Sequence, residues 1–370
     1  MNLQNVCVVL PSLDPDEKLL TVIDGLLQYG FTDIILINDG SKAKNLHYFE
    51  TAATHPEVTL LHHEVNKGKG AALKTAFHYV LENRPNAEGV VTVDGDNQHH
   101  PEDTRACAEN MLQTDRLTLG VRDFSQPDVP KRSRSGNRIT CTVFKLFVGM
   151  TISDTQTGLR AIPIKDLKLM TEISGDRFEY ETNMLLAMKT HHIAFDEIKI
   201  RTVYIEENKS SHFRVFRDSW RIYKLILAHF FKFTLSSFLS FVIDEGLFLL
   251  LSWALHSVLN GFILDTVSIV TARVVSSIFN FYMNLKLVFH SRERTGRAFF
   301  KYFALAVPQL AAQLLLTHGV TLLFGIGEHE TLLRGAVYAC VMAVLFFASF
   351  TIQQRWVFAA KNRKDTQKIK

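Results

Sequence analysis

Two aspartates one residue apart, Asp94 and Asp96, close an apolar run in VTVDGDNQHHPED at 91–103, and Gln98, two histidines, a proline and two more acids follow at once. Like charges repel, so such crowding needs a purpose. If the strand-like run ends at Asp94 and the chain turns at Gly95, both carboxylates converge on one cation, and a hard divalent metal, Mg2+ or Mn2+, suits oxygen ligands of this kind. His99 and His100 read as hydrogen-bonded structural residues rather than as ligands. A second cluster is basic: GVRDFSQPDVPKRSRSGNR at 120–138 carries Arg122, Arg132 and Arg134. A planar guanidinium donates two hydrogen bonds at once to phosphate, so this cluster reads as an anion site, its rival being contact with lipid headgroups alone.

Such side chains need elements to hold them. Strand-like runs at 6–10 (VCVVL), 33–39 (DIILIND), 58–62 (VTLLH) and 89–94 (GVVTVD) alternate with helix-like stretches beginning near Asp16, Lys42, Lys69 and Pro101. The alternation predicts a mainly parallel sheet with crossover helices. In such sheets ligands gather beyond the carboxyl ends of the strands. Four of those ends carry informative residues: Pro11 to Asp14, Asp39-Gly40-Ser41, the Asn66 to Gly70 loop with Lys69, and Asp94-Gly95-Asp96. No G-x-G-x-x-G follows the first strand and no G-x-x-x-x-G-K-[ST] occurs, so the ordinary dinucleotide and P-loop readings lose their support.

The 370 residues have room for about two domains, and composition changes near residue 210. Beyond it, four apolar segments, Leu235–Leu255, Val267–Leu287, Phe303–Phe324 and Leu332–Phe350, come near the ~20 residues that span a bilayer as helix. Between the halves, SHFRVFRDSWRIYKLILAHFFKF at 211–233 interleaves aromatics with Arg and Lys, as segments lying in the membrane interface do. The expected organisation is a cytosolic domain over 1–210, an interfacial segment over 211–230, a four-helix transmembrane domain over 231–358 and a basic tail over 359–370.

The loop HSVLNGFILD lacks Lys and Arg, whereas KLVFHSRERTGRAFFK and the tail KNRKDTQKIK are rich in them, which predicts both chain ends in the cytosol. No cleavable signal is expected, because the first apolar run is short and has no basic flank. A net charge of +4 is too small to imply nucleic acid, and membrane lipids account for the basic tail. Cys7, Cys107, Cys141 and Cys340 form no C-x-x-C pair, which argues against a zinc site and a disulfide framework. An internal repeat is legible: Phe231-Lys232-Phe233, Phe281 and Phe289 recur as Phe300-Lys301-Tyr302, Phe350 and Phe358, each at an offset of 69 residues. Within the spans, Asp244, Glu245 and Arg273 are costly unless paired or wet. The string QQRWV at 353–357 does not make the Q-x-x-R-W of processive synthases, because the required position is Ile352.

Taken in order, LPSLDPD, IND-GS, NKGKGAA, DGDNQHHPED and DTQTGLR resemble the family-2 glycosyltransferases, in particular their polyprenyl-phosphate branch, over about residues 5–225. The membrane half, through NFYMNLKLVF at 280–289 and FTIQQRWVF at 350–358, resembles the GtrA four-helix proteins. The resemblance implies a GT-A, Rossmann-like catalytic fold joined to an all-α transmembrane domain. It implies that Pro11, Asp14, Asp39, Lys69 and Asp94 line the nucleotide side, with Asp39 on the base, and that Asp94, Asp96 and Gln98 surround a divalent metal on the diphosphate. It also places Arg122, Arg132 and Arg134, with Ser133 and Asn137, on a loop over the site after the fifth strand. Asp154 either orients the sugar or acceptor phosphate or holds its loop by capping, and Glu179 and Glu181 could line the same pocket. One departure concerns the base: related second strands often end in paired Asp where this one has Asn38-Asp39.

The expected reaction is inverting, metal-dependent transfer of one sugar from a nucleotide donor to a polyprenyl phosphate at the inner membrane face. A phosphate monoester has a second pKa of about 6, so no strong general base is needed. Bringing it beside a diphosphate is harder, since two unit charges at ~4 Å repel by about 4 kcal/mol at an effective dielectric of 20. The expected catalytic set is therefore Asp96, Asp154, Arg122, Arg132 and Arg134. The spans either anchor the enzyme and offer an oligomerisation surface or also carry the product across the bilayer.

Overall fold

The structure is a computed structural model, and it describes residues 3–126, 129, 131–201, 215–259, 261–289, 291, 293–326 and 330–359. The chain forms two compact units, 1–225 and 226–370. Of the expected interfacial segment 211–230, residues 211–214 and most side chains up to 229 fall outside the described residues, as do the basic tail beyond residue 359 and the Arg132 side chain.

The first unit is built on a seven-stranded sheet: β1 (Val6–Ser12), β2 (Ile34–Asp39), β3 (Val58–His63), β4 (Gly89–Thr92), β5 (Leu117–Arg122), β6 (Arg160–Pro163) and β7 (Phe195–Ile200). The spatial order is β3-β2-β1-β4-β6-β5-β7, and β6 alone among these runs antiparallel to its neighbours. Between the strands come α1 (Lys18–Gln28), α2 (Leu46–Ala52), α3 (Lys69–Asn83), α4 (Pro101–Thr114), α5 (Lys131–Val143), α6 (Ile164–Glu172) and α7 (Glu179–His191). The unbroken apolar runs of β1 and β2 are what a parallel sheet covered on both faces requires. Val6 to Leu10 and Ile34 to Ile37 are no more than 2% exposed, and each such aliphatic side chain contributes roughly 1.5–3 kcal/mol by leaving water.

Two local differences from expectation matter for the site. The β4 ladder stops at Thr92, so Asp94 sits beyond the strand rather than as its last residue. The DTQTGLR motif leads directly into an unexpected strand, β6, whose Arg160 pairs with Thr92. α4 starts as its sequence suggests: Pro101 is the first residue, Glu102 and Asp103 lie in the first turn, and the His100 ring accepts the Glu102 N–H at 3.3 Å.

The second unit holds α8 (Val215–Leu255, which begins before it), α9 (Gly261–Met283), α10 (Thr295–Leu323) and α11 (Thr331–Ile352). Four stretches, Phe230–Leu255, Gly261–Val288, Thr295–Leu323 and Leu332–Val357, are long and apolar enough to cross a membrane. α9 and α11 both end in a π-helical turn, Asn284–Val288 and Gln353–Val357, at the 69-residue offset of the repeat. Equivalent residues also meet: Phe289 stacks on Phe358 with ring centroids 5.1 Å apart, and Asn284 Nδ2 donates to Gln353 Oε1 at 3.2 Å. The contact of Phe233 with Phe350, at 5.1 Å, has its counterpart in Tyr302 with Phe281, at 5.5 Å. Exchanged contacts of this kind define an approximate two-fold axis between the hairpins.

Candidate active site

On the β1 and β2 side, backbone and side chains lace the strand ends together. Asp14 adopts φ 50°, accepts the Lys42 N–H at 2.8 Å and the Asn45 amide at 3.2 Å, and pairs with Lys42 Nζ at 3.3 Å. Burial alone would raise the Asp14 carboxyl, but these donors bring it below its ordinary value. Its own N–H donates to Ser41 Oγ at 2.8 Å, and the Ser41 N–H donates to Asn38 Oδ1 at 2.9 Å. Asp39 is 3% exposed, and its carboxylate accepts the N–H groups of Lys67 at 2.9 Å and Gly68 at 2.8 Å and faces His63 Nδ1 at 2.7 Å. A carboxylate there requires the proton on Nδ1, leaving Nε2 for the Thr75 hydroxyl at 3.0 Å. Asp39 therefore builds the Asn66–Gly70 loop, and its oxygens are committed to that loop rather than presented to a base. Gly68 carries the loop at φ +105°, where a side chain would strain the backbone and strike the Asp176 carbonyl.

The loop delivers Lys69 to the acids. Lys69 opens α3, and its Nζ lies 2.7 Å from Asp94 Oδ1 and 2.9 Å from Glu181 Oε1, all three side chains being at most 30% exposed. His99 Nε2 stands 3.5 Å from the other Asp94 oxygen. Burial would push the ammonium down, but Asp94 and Glu181 hold it charged, well above its ordinary value. Burial would likewise raise Asp94, and Lys69 followed by His99 overcomes this and holds the carboxyl well below its ordinary range. Asp96 moves the opposite way: burial and then the negative charge on Asp94 raise it, against the Gln98 N–H that Asp96 Oδ1 accepts at 3.1 Å. The same Asp94 carboxylate is roofed by Gly158 of DTQTGLR, where a methyl group would collide with Oδ2.

Among the described residues no group of three or more His, Cys, Asp and Glu side chains is gathered as a metal site. Asp94 and Asp96 with Gln98 nonetheless suit a cation that takes one or two carboxylates from the protein and its remaining oxygens from phosphate and water, as Mg2+ does. Burial and then the charge on Asp94 raise the Asp96 carboxyl, a cost that a cation shared by the two would relieve.

Beyond β5 the geometry is a framework. Arg122 Nε and Nη2 grip Asp154 at 2.7 and 3.1 Å, and the N–H groups of Arg122 and Gln156 add bonds at 3.3 and 3.0 Å. Asp154 is fully buried with both oxygens engaged, so of its two readings the geometry favours the one that holds the loop. Asn137 ties α5 to the Ser153 carbonyl at 2.8 Å, while Arg134 Nη2 donates to the Gln126 carbonyl at 2.6 Å. Arg160 is 1% exposed, donates to the carbonyls of Thr157 and Glu181 at 3.1 and 2.8 Å, and is lowered from its ordinary value by burial. The structure thus brings Lys69, Asp94, Asp96 and Glu181 together, and sets the partly exposed Arg122 with the buried Asp154 as a separate pair. Sequence reasoning left Glu181 among undecided acids and gave Gly158 and Arg160 no part in the site. The short DTQTGLR spacing was their one signal.

Residues 7–168 match the family described as Glycosyl transferase family 2, and residues 232–358 match the GtrA/DPMS transmembrane domain. The chain joins a family 2 glycosyltransferase domain to a GtrA/DPMS transmembrane domain. It is a multi-pass membrane glycosyltransferase, and its sheet is that of a GT-A-like α/β domain. An uncharacterized protein of Methanocaldococcus jannaschii is 26% identical over 236 residues, 62% of this chain and 95% of that one. The UDP-N-acetylglucosamine–dolichyl-phosphate N-acetylglucosaminyltransferase of Methanococcus voltae is 23% identical over 240 residues, 60% of this chain and 95% of the relative. Among solved structures, glucosyl-3-phosphoglycerate synthase from Mycobacterium tuberculosis, crystallised with Mn2+, UDP and glucosyl-3-phosphoglycerate, aligns with a TM-score of 0.42 at 15% identity, over 54% of this chain and 71% of that chain.

Proposed function

We propose that the chain transfers one sugar, with inversion, from a nucleoside-diphosphate sugar to a polyprenyl phosphate at the cytosolic membrane face. The observation that carries this reading is the crowding of Asp94 and Asp96 beside Lys69 in a chain that also bears four candidate spans. A relative named as a dolichyl-phosphate transferase adds support. The acceptor phosphate oxygen forms its bond to the anomeric carbon as the bond from that carbon to the leaving diphosphate breaks on the opposite side. Asp94 and Asp96, with Gln98 beside them, would hold a divalent ion, Mg2+ or Mn2+, which would supply charge neutralisation for the leaving diphosphate without a proton. Asp14, Asn38 and Ser41 shape the nucleotide side, while Pro11 and Asp39 fix the strand end and loop around it.

The acceptor side needs cations and a lipid-facing surface, and α5 supplies a pattern for both. Lys131, Arg138 and Ile139 on α5, and Lys145 and Leu146 on the π-helical turn Phe144–Val148 that continues it, recur at helical spacing on the exposed side, with Ile139 56% and Leu146 44% exposed. A basic face with apolar side chains among it suits an anionic membrane surface. Arg132 and Arg134, near the start of that helix, supply the cations for the acceptor phosphate, and Arg122 steadies the loop through Asp154. Loop charges favour both chain ends in the cytosol.

The test is incubation of the purified full-length chain with a panel of nucleotide sugars and short-chain prenyl phosphates, with products read by mass. One prenyl-phosphate sugar formed only with Mg2+ or Mn2+ is the expected result. Sugar transfer to other acceptors alone, or undiminished transfer in chelator, overturns the acceptor or the metal reading respectively.

A second reading concerns the spans. Asp244 pairs with Arg273 at 3.1 Å and accepts from Ser276 Oγ at 3.0 Å, Asn280 donates to Ser240 at 2.9 Å, and Asn284 meets Gln353. Two polar groups in an apolar unit, one around Asp244 and one running from Ser240 through Asn280 and Asn284 to Gln353, favour passage of a polar headgroup over anchoring alone.

A further inference from the structure

We infer that Lys69 is a tethered cation that competes with the divalent ion for Asp94, and that Glu181 is the positioning residue that keeps the ammonium in place when Asp94 is given over to the metal. The inference rests on the reading of Asp94 and Asp96 as metal ligands and goes beyond it in assigning the residues that set metal affinity.

Three observations carry it. Lys69 Nζ contacts Asp94 Oδ1 at 2.7 Å, so the ammonium covers one of the two oxygens that an ion would use. Glu181 Oε1 lies 2.9 Å from the same nitrogen on its other side, so the ammonium has a second carboxylate at hand without leaving the site. The main chain beneath Glu181 is fixed, its carbonyl accepting from the buried Arg160 at 2.8 Å, and Gly158 closes over the Asp94 carboxylate. Lys69 itself is anchored at the start of α3 by a loop that Asp39 fastens through two N–H groups. The ammonium therefore has two acids within reach at once. With no metal, it relieves the repulsion between Asp94 and Asp96. With a metal on Asp94, like charges would drive it onto Glu181, where it would remain in the site as a further cation.

This arrangement gives the two neighbours opposite effects. Removing Lys69 removes a competitor. Removing the Glu181 charge leaves the ammonium with Asp94 alone and strengthens the competition. Mn2+ binding to the purified full-length chain, followed by loss of the free-ion paramagnetic resonance signal with no sugar nucleotide present, separates these cases. Lys69→Met is expected to bind Mn2+ at least roughly tenfold more tightly than wild type. Glu181→Gln is expected to bind it several-fold more weakly, and that loss is expected to vanish in the Lys69→Met background, because Glu181 acts through Lys69. Glu181→Asp, which keeps the charge, moves affinity back toward wild type. Lys69→Gln serves as the second variant if Lys69→Met lacks a cooperative melting transition.

Equal Mn2+ affinity in wild type and both Lys69 variants overturns the competition. An equal effect of Glu181→Gln in both backgrounds overturns its positioning role and reduces it to a distant charge. If wild type and the Lys69 variants all fail to bind Mn2+, or if Asp96→Asn binds it as wild type does, the underlying metal reading falls as well.

Discussion

Asp154→Asn separates a framework residue from one that handles the ligand. In the structure Asp154 accepts a two-pronged grip from Arg122 at 2.7 and 3.1 Å plus two backbone N–H groups, and it is fully buried. The amide in the variant keeps the volume but turns a donor toward the Arg122 fork. Removing one partner of a buried ion pair costs roughly 3–5 kcal/mol. Arg122 is 23% exposed, so water relieves part of the unpaired charge and the lower end, about 3 kcal/mol, is the working figure. For a unit of this size, 1 kcal/mol moves Tm by roughly 2–4 °C, which gives a fall of about 6–12 °C. Differential scanning fluorimetry of the full-length chain in detergent measures it. Adding Arg122→Met is expected to recover part of the loss, since replacing both charges leaves none buried alone. Sugar transfer assayed well below the lowered Tm is expected to stay within about tenfold of wild type. An unchanged Tm with transfer abolished would refute the framework argument and return Asp154 to the ligand.

Asp96→Asn is expected to abolish transfer yet raise the Tm of the ligand-free protein at neutral pH. Burial and Asp94 raise the Asp96 carboxyl, so the native state binds more protons than the unfolded one between the ordinary and the raised value; stability is lost as pH rises through that window, and the amide escapes the cost. A Tm that falls in the variant, measured across a pH series, would count against the repulsion. Gly158→Ala is expected to lower activity and cost about 1–3 kcal/mol, because its methyl group meets the Asp94 carboxylate, and urea unfolding of the variant checks the magnitude. In sealed vesicles, Asp244→Asn is expected to slow appearance of product on the far leaflet without slowing its synthesis; equal slowing of both would remove the transport reading.

Much of this was legible because parallel sheets write themselves plainly. β1 and β2 are unbroken apolar runs, and α4 announces its start with His-Pro-Glu-Asp. The acidic strand end was legible for the same reason, since two acids next to a buried strand have few structural uses. Less visible was anything that depends on partners distant in the chain. Lys69 reads as one lysine in a glycine-rich loop until Glu181, more than a hundred residues later, arrives on α7. Asp39 reads as a strand-end acid free for a ligand until the loop after β3 folds back and takes both its oxygens. β6 escaped notice because four residues, one of them arginine, carry no alternating pattern. Buried charge follows tertiary pairing, which local periodicity does not record.

The duplicated hairpins sharpen the question of what these polar groups are for. Where a feature is needed to build the unit, both copies keep it: the π-helical turns, the Phe289 and Phe358 stack and the Asn284 and Gln353 pair all lie at matching positions. Where the copies differ, folding has shown that it can do without. The position matching Asp244 is Gln313, that matching Arg273 is Met342, and that matching Ser276 is Leu345. Gln313 donates a neutral bond to the Tyr338 hydroxyl at 3.0 Å. The second hairpin therefore packs without an ion pair at the place where the first keeps one. An intramembrane carboxylate costs at least about 2.5 kcal/mol on insertion scales, so a pair that the fold does not require is retained for something the fold does not do. That asymmetry, rather than the presence of charge alone, is why Asp244 and Arg273 are the residues on which transport and anchoring can be told apart.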